Sequence, residues 1–319
     1  MGQSDSRNFV GVDLGGTKIL ARLVNPATGS AKGRVKTVTP SGPDAVLDAL
    51  VASVTKIDGW PDVDGVGVGV PGFVDPNGVV AKCPNIAGWD SPVPVAELLS
   101  ERLGKPVVVA NDVNCGAVAE HRLGAGRGFE DLLAVFVGTG VGGGLIIGGE
   151  LVAGGRGMAG EIGHLTVKPG GRPCGCGGFG HLESYAGRAG IEREVRRRDE
   201  AGSPQLLLEL SGGGPIKSRH LARGLDDGDE TTAELLAESA DALALAIGNV
   251  ATMLDLTSVV LGGGVVDKLG DPFLAQIAGS EHFGGLGPPY PELVPAKRID
   301  DAGAIGAAVL ASDRLPAFS

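Results

Sequence analysis

The sequence predicts a two-domain α/β protein, and three observations carry this. Short apolar runs of β type alternate with longer segments of helical period along the chain. The pattern strand, glycine turn, strand that opens the chain at Phe9–Val24 recurs at Leu132–Ile147, as an internal duplication would give. The 319 residues, 43% of them hydrophobic, suit two cores at roughly 100–200 residues per domain. Glycine is abundant, 56 residues against a usual share of roughly 7%. Because glycines sit beside apolar runs, such as Gly138 after Leu132–Val137, they point to tight turns at strand ends rather than to low complexity.

The elements follow in order. Phe9–Leu14 reads as a buried strand, Gly15-Gly16-Thr17 as a turn and Ile19–Val24 as the returning strand of a hairpin. Asp44–Lys56 is helical, and Val63–Val70 is an apolar strand ending at Pro71-Gly72. Val93–Leu103 is helical, and Pro106–Ala110 is a β-rich run leading into Asn111-Asp112 and a segment, Val113–Leu123, that would be helical. In the second half, Leu132–Val137, Gly138–Gly144 and Leu145–Ile147 repeat the opening hairpin, too far along for a solenoid repeat of roughly 20–50 residues. A cysteine-rich loop follows, then helices at Leu182–Arg198, Glu234–Asp255 and Ala302–Ser312. Ser258–Leu261 is a strand running into Gly262-Gly263-Gly264, and Gly212–Asp229 is polar, turn-rich and expected to be an exposed connection.

Charge and composition narrow the function. The net charge of −11 argues against a nucleic-acid partner, which calls for a basic patch. The one dense basic cluster, Arg193–Arg198, reads as a solvated helix face. No run of about 18 apolar residues suggests a membrane span, and Met1–Asn8 has no apolar signal core. Four cysteines make no disulfide framework. A cytoplasmic enzyme is the simplest reading.

Five motifs carry chemistry. In Asp13-Leu14-Gly15-Gly16-Thr17-Lys18 a strand presents a carboxylate, and two glycines bare the backbone amides. Amides and the Thr hydroxyl suit a phosphate, and the aspartate suits Mg²⁺; an ordinary hairpin turn would also use Gly-Gly. Gly138-Thr139-Gly140-Val141-Gly142-Gly143-Gly144 matches a dinucleotide fingerprint formally. A strand rather than a helix follows, so a second phosphate-gripping hairpin fits better. Leu261-Gly262-Gly263-Gly264-Val265, after a strand, suits a flat ligand such as adenosine or simply a strand-to-helix turn. Asn111-Asp112 offers a carboxylate at a strand end, either as a base for a sugar hydroxyl or as a helix N-cap. Finally, His164, Cys174, Cys176 and His181 form a plausible Cys₂His₂ zinc set. Its Cys pair has one intervening residue, tighter than the usual spacing, and a surface pair with unrelated histidines is the alternative. Glu161 and Glu183 flank it as acceptors suited to sugar hydroxyls.

Taken together, these residues resemble the ROK family of sugar kinases, its bacterial glucokinase branch most, from about Val10 to Ala311. Gly69-Val70-Pro71-Gly72, Pro84-Asn85 with Trp89, Gly160-Glu161-Ile162-Gly163-His164, Cys174-Gly175-Cys176-Gly177 and Ala302-Gly303-Ala304-Ile305-Gly306-Ala307-Ala308 extend the match. The resemblance implies a two-domain actin-like ATPase (ribonuclease H-like) fold with a cleft between domains. The domains expected are 1–111 and 112–301, the second carrying the zinc loop, with a helix at about 302–319 packing back on the first.

The resemblance also assigns roles. Asp112 matches the family's catalytic base, and Gly72, Asn85, Asn111, Asp112, Glu161, His164 and Glu183 its sugar-binding positions. Asp13, Gly15, Gly16, Thr17, Lys18, Gly138, Thr139 and Gly140 match the phosphate turns, and Gly262 and Gly263 the adenosine side. His164 both binds structural Zn²⁺ and faces the sugar, whereas His181 stands where the family usually has a third cysteine. The implied reaction is transfer of the γ-phosphate of ATP, with Mg²⁺, to the 6-hydroxyl of a hexose, glucose first, by a homodimer or homotetramer. Fructose, mannose or an N-acetylhexosamine are alternative acceptors, and polyphosphate is an alternative donor. A sugar-sensing regulator is a further alternative, which the twelve residues before Asp13 and the intact turns disfavour.

Overall fold

The computed structural model describes residues 7–284, 288–297 and 301–316. Residues 1–6 of the polar N-terminus, 285–287 and 298–300 of the expected second domain, and 317–319 of the expected last helix lie outside the described residues. The elements are β1 (Phe9–Leu14), β2 (Lys18–Asn25), β3 (Ser30–Val38), α1 (Pro43–Thr55), β4 (Gly65–Val70), β5 (Phe73–Val74), β6 (Val79–Lys82), β7 (Val93–Pro94), α2 (Val95–Leu103), β8 (Val107–Asn111) and α3 (Asp112–Leu123). They continue with β9 (Leu132–Val137), β10 (Val141–Ile147), β11 (Glu150–Leu151), α4 (Glu183–Ala186), α5 (Arg188–Glu200), α6 (Leu206–Ser211), α7 (Ser218–Asp226), α8 (Glu230–Leu254), β12 (Ser258–Gly262), α9 (Gly264–Ala278), β13 (Glu292–Pro295) and α10 (Ala302–Arg314).

The chain divides into two compact units, residues 1–130 with 144–160 and 297–319, and residues 131–143 with 161–296. The first break falls after α3 rather than at residue 111, because α3 packs on α10 within the first unit.

The first unit is built on the sheet β3-β2-β1-β4-β8. β1 pairs antiparallel with β2 and parallel with β4, which pairs parallel with β8. Strand side chains alternate faces, and the sequence uses this. Val10, Val12 and Leu14 share a core with Val66, Val68 and Val70, with Val46, Leu47 and Leu50 of α1 and with Val95 and Leu99 of α2. The intervening residues are Gly11 and Asp13 on β1 and Gly67 and Gly69 on β4. A Cβ on Gly11 or Gly67 would overlap the carbonyl oxygen of Ala304 or Ala307, on α10. Those strand glycines therefore let a small-residue helix lie directly on the sheet, a use of glycine that the turn reading did not anticipate.

In the second unit, β12 pairs in parallel with β9 on one side and with β13 on the other. The helices α4 to α9 belong to this unit. α8 starts where Asp229 accepts a bond from the Thr232 amide at 2.8 Å and buries Leu235, Leu236, Leu243 and Ile247. It is the one helix among the described residues long and apolar enough to cross a membrane, and 56% of that stretch is buried in the fold, as in a core helix.

Several elements differ from expectation. β3 was not anticipated, because an edge strand with Lys32, Arg34 and Lys36 carries little apolar signal. The small sheet β5-β6-β7 also appears, so the helix expected from Val93 begins at Val95. Gly142, Gly143 and Gly144 belong to β10, not to the preceding turn. Leu182–Arg198 is two helices, parted by an extended Gly187 (ψ 137). The polar stretch 212–229 contains α7, whose Leu221 is fully buried. The Arg193–Arg198 face is ion-paired as much as solvated. Glu194 holds Arg197 and Arg198 at 2.8 and 2.9 Å, and these bonds, Arg197 first, pull its carboxyl down to about 2. With Lys168 and Arg172 this face borders a cavity of about 810 Å³.

Candidate active site

The first glycine turn closes a hairpin, with the Gly15 amide donating to Lys18 O at 2.9 Å. Thr39, just past β3, donates its hydroxyl to Gly15 O at 2.6 Å and its amide to Thr17 O at 3.2 Å. Those carbonyls are thereby occupied, while the exposed amides of Gly16 and Thr17 donate to nothing among the described residues. Amides bared in succession form an anion-binding concavity. Gly16 also lies against Asn85, whose carbonyl oxygen would be 2.7 Å from an added Cβ. Thr39 escaped the sequence reading, because nothing local marks a residue beyond β3 as part of this turn.

Asp13 precedes that turn. Its carboxylate accepts no hydrogen bond among the described residues, and burial pushes its pKa up; Lys18 opposes the shift and Asp301 adds to it. A buried carboxylate without donors fits a divalent cation, directly or through water. The upward shift means the folded chain holds this proton more tightly than the unfolded chain. Stability therefore falls as pH rises through the shifted pKa. Asp13→Asn is expected to raise the melting temperature at pH 7 while impairing activity. The gain should vanish as pH approaches about 4, the ordinary Asp value, in melting curves recorded across pH.

At the end of β8, Asn111 caps α3. Its Oδ1 accepts from the Val113 and Asn114 amides at 2.9 and 3.2 Å, and its Nδ2 donates to Gly72 O at 3.1 Å. The helix cap that the sequence offered as the alternative to a base is thus supplied by Asn111. Asp112 begins the helix and accepts from Val113 N at 2.9 Å. Its charge is felt by two buried thiols: burial and then Asp112 push Cys83 up to about 12, and they push Cys115 up as well. The first unit thus joins Gly16 to Asn85 and Gly72 to Asn111.

The second unit repeats the turn. Gly138 N donates to Gly140 O at 2.9 Å, and the first two amides of α5, at Arg188 and Ala189, donate to Gly138 O and Thr139 O at 3.1 and 2.9 Å. All three carbonyls are occupied, and the Thr139 and Gly140 amides donate to nothing among the described residues. The next amide, Val141 N, donates to Glu183 Oε2 at 3.1 Å. An added Cβ on Gly140 would overlap that carboxylate oxygen. Glu183 is therefore built into the turn, a link invisible in the sequence.

Glu183 also reaches the cysteine loop, with Oε1 3.8 Å from Cys174 Sγ. Cys174 Sγ lies 3.9 Å from His164 Nδ1, and Cys176 Sγ lies 3.3 Å from His181 Nδ1. All four ligand atoms fall within 4.8 Å of one another. Two thiols and two imidazoles at that separation fit one zinc ion after slight contraction, since tetrahedral Zn–S and Zn–N bonds place ligands about 3.3–3.8 Å apart. His164 turns its other nitrogen, Nε2, toward Glu161 Oε2 at 3.9 Å. Burial pushes the Glu161 carboxyl up; His164 opposes this and Glu183 adds to it.

Gly262 and Gly263 form a strand-to-helix turn before α9. Gly263 has φ 95, a conformation favouring glycine, and a Cβ on Gly262 would meet Ala296 at 2.6 Å. Packing therefore requires both glycines, whatever they face.

The chain matches the ROK family over residues 9–314. It is 34% identical over 316 residues to a glucokinase of Streptomyces coelicolor, covering 96% of this chain and 98% of that one. A ROK hexokinase from Thermus thermophilus matches with a TM-score of 0.82 at 33% identity, over 95% of this chain and 97% of its own. A ROK family glucokinase from Streptomyces griseus, in complex with glucose and AMPPNP, matches with a TM-score of 0.76 at 34% identity, over 96% and 99%.

Proposed function

The chain belongs to the ROK family and is an ATP-dependent sugar kinase of actin-like ATPase fold, and we propose that it phosphorylates the 6-hydroxyl of glucose with Asp112 as base. The observation that supports this best is the pair of glycine turns of like construction, one in each unit. In both, carbonyls are occupied and successive amides are left for phosphate oxygens.

Roles follow from chemistry. Asp112 accepts the proton of the attacking hydroxyl, and Asn111, fixed by its bond to Gly72 O, stands beside it. Asn85, Glu161, His164 and Glu183 accept or donate hydrogen bonds to the sugar hydroxyls, with Gly72 contributing through its backbone, since a Cβ there would overlap Lys82 O. The free amides of Gly16, Thr17, Thr139 and Gly140, with Lys18, stabilise phosphoryl charge, while the Gly15 and Gly138 amides close the two turns that bare them, and Gly262 and Gly263 lie against adenosine. Phosphoryl transfer rests mostly on such positioning and electrostatics. Magnesium arriving with ATP would neutralise phosphate charge and be held by Asp13. The net charge of −11 supports small-molecule partners over nucleic acid. A cytoplasmic homodimer or homotetramer completes the reading.

Zinc would be held by His164, Cys174, Cys176 and His181 as a structural ion. Its contribution is to fix the His164 ring so that Nε2, on the Glu161 side, meets a sugar hydroxyl in one orientation. Purified enzyme is expected to carry about one zinc per chain by elemental analysis. Cys176→Ala should lower that content and weaken sugar binding with the global fold retained, and His181→Cys should keep both. Fully active enzyme with clearly less zinc would remove the site.

The function itself is tested by coupled ADP release across glucose, mannose, fructose and N-acetylhexosamines. Glucose is expected to give the highest kcat/KM. A clear preference for another sugar would move the acceptor, and no sugar-dependent ADP release would overturn the reading.

A further inference from the structure

Arg188 opens α5 beside the second glycine turn. Its Nη2 donates to Thr139 Oγ1 at 2.6 Å and its Nη1 to Ile216 O at 2.5 Å. Its own amide and that of Ala189 hold the turn carbonyls of Gly138 and Thr139. The other arginines bonded along this helix end on carboxylates: Arg196 on Glu192, Arg197 on Glu194, and Arg198 on Glu194 and Glu234. Arg188 is different, since among the described residues it meets only neutral oxygens. A guanidinium presents five donors, and two are engaged here. A full positive charge is thus placed on a turn whose next amide already holds the Glu183 carboxylate.

We propose that Arg188 is a phosphate-binding residue of this enzyme, contributing charge to the ATP phosphates through the Thr139–Gly140 turn. This rests on the reading of that turn as a phosphate site. The chemistry is complementary at each atom. Because Arg188 donates to a lone pair of Thr139 Oγ1, the hydroxyl proton of Thr139 points elsewhere and is available to a phosphate oxygen. The unpaired amides of Thr139 and Gly140 add two neutral donors. The guanidinium, a hydrogen bond from Oγ1, lies close enough to share the same oxygen or to exchange the Thr139 hydroxyl for it. Charge-assisted bonds of this kind are roughly twice as strong as neutral ones. Arg188 also offsets the repulsion that Glu183, on the same turn, exerts on an incoming polyanion.

The test compares Arg188→Gln, Arg188→Lys and Thr139→Val in the 319-residue chain as purified without chelator. The readouts are binding of Mg·AMPPNP by calorimetry, which needs no turnover, the steady-state constants for ATP and for glucose, and the melting temperature. Arg188→Gln is expected to weaken Mg·AMPPNP by about tenfold and to lower kcat on the order of 10²-fold. Glucose KM should change by less than about threefold, since the lost charge faces phosphate rather than sugar. Arg188→Lys should recover part of the loss, because it restores the charge without the planar fork. If Thr139→Val impairs nucleotide binding and Arg188→Gln does not, the turn stands and the role of Arg188 is overturned. If neither does, the phosphate reading of the turn fails and Arg188 fails with it. Equal losses for ATP and glucose, with a lowered melting temperature and no recovery by lysine, would mark Arg188 as a purely structural support of α5 and overturn the proposal.

Discussion

Asp112→Ala is expected to lower kcat by about 10²–10⁴-fold, the usual worth of a positioned general base, with sugar affinity changed by no more than a few-fold. The structure explains why the loss should be confined to chemistry. The α3 N-terminus is capped by Asn111, whose Oδ1 holds both the Val113 and Asn114 amides, so the helix survives without the Asp112 carboxylate. The bond from Asn111 Nδ2 to Gly72 O also remains and keeps the neighbouring loop in place. The measurement is kcat beside a glucose dissociation constant obtained without ATP. Near-normal turnover would remove Asp112 from the mechanism.

Gly140→Val is the second large effect, and it should damage both substrates at once. The valine side chain would occupy the position of Glu183 Oε2. Glu183 would have to leave Val141 N, 3.1 Å away, and its place beside Cys174, 3.8 Å away. The proposed phosphate turn and a proposed sugar-binding carboxylate then fail together. ATP and glucose KM should both rise, and kcat should fall on the order of 10²-fold or more. Gly138→Ala is the informative control. A Cβ there meets nothing within 4 Å, so any rise in its ATP KM reports the approach of the nucleotide. A Gly140→Val enzyme with altered ATP kinetics and untouched glucose kinetics would show that Glu183 does not serve the sugar.

Much of the fold was legible because its signals are local. Phe9–Leu14 and Leu132–Val137 are apolar strands that run directly into glycine turns, and both hairpins are present. Elements stabilised from a distance were not. β3 is held as an edge strand by pairing to β2, and α7 is short and polar on its outer face but buries Leu221 and His220. The strand glycines Gly11 and Gly67 were visible but received no role, because their reason, the close passage of α10, lies some 240–300 residues away in sequence.

The site divides in the same way. The Cys174–Cys176 pair could be picked from residue types and spacing, and it does come together with His164 and His181, whereas Asn111-Asp112 read by spacing as either base or helix cap, and Asn111 proves to be the cap. Residues whose role comes from what they touch could not be picked this way. Thr39 looks like any strand-end threonine until its hydroxyl is seen on Gly15 O. Arg188 looks like the first of several surface arginines until its partners prove to be Thr139 and Ile216.

Product analysis tests the central claim most directly. Purified chain, Mg·ATP and glucose are incubated, and the products are identified by phosphorus and proton NMR. The expected result is one ADP formed per sugar phosphate, with the phosphate on O6 of glucose and no product from the Asp112→Ala enzyme over the same interval. ADP formed without a phosphorylated sugar, or phosphate on any other hydroxyl, would contradict it.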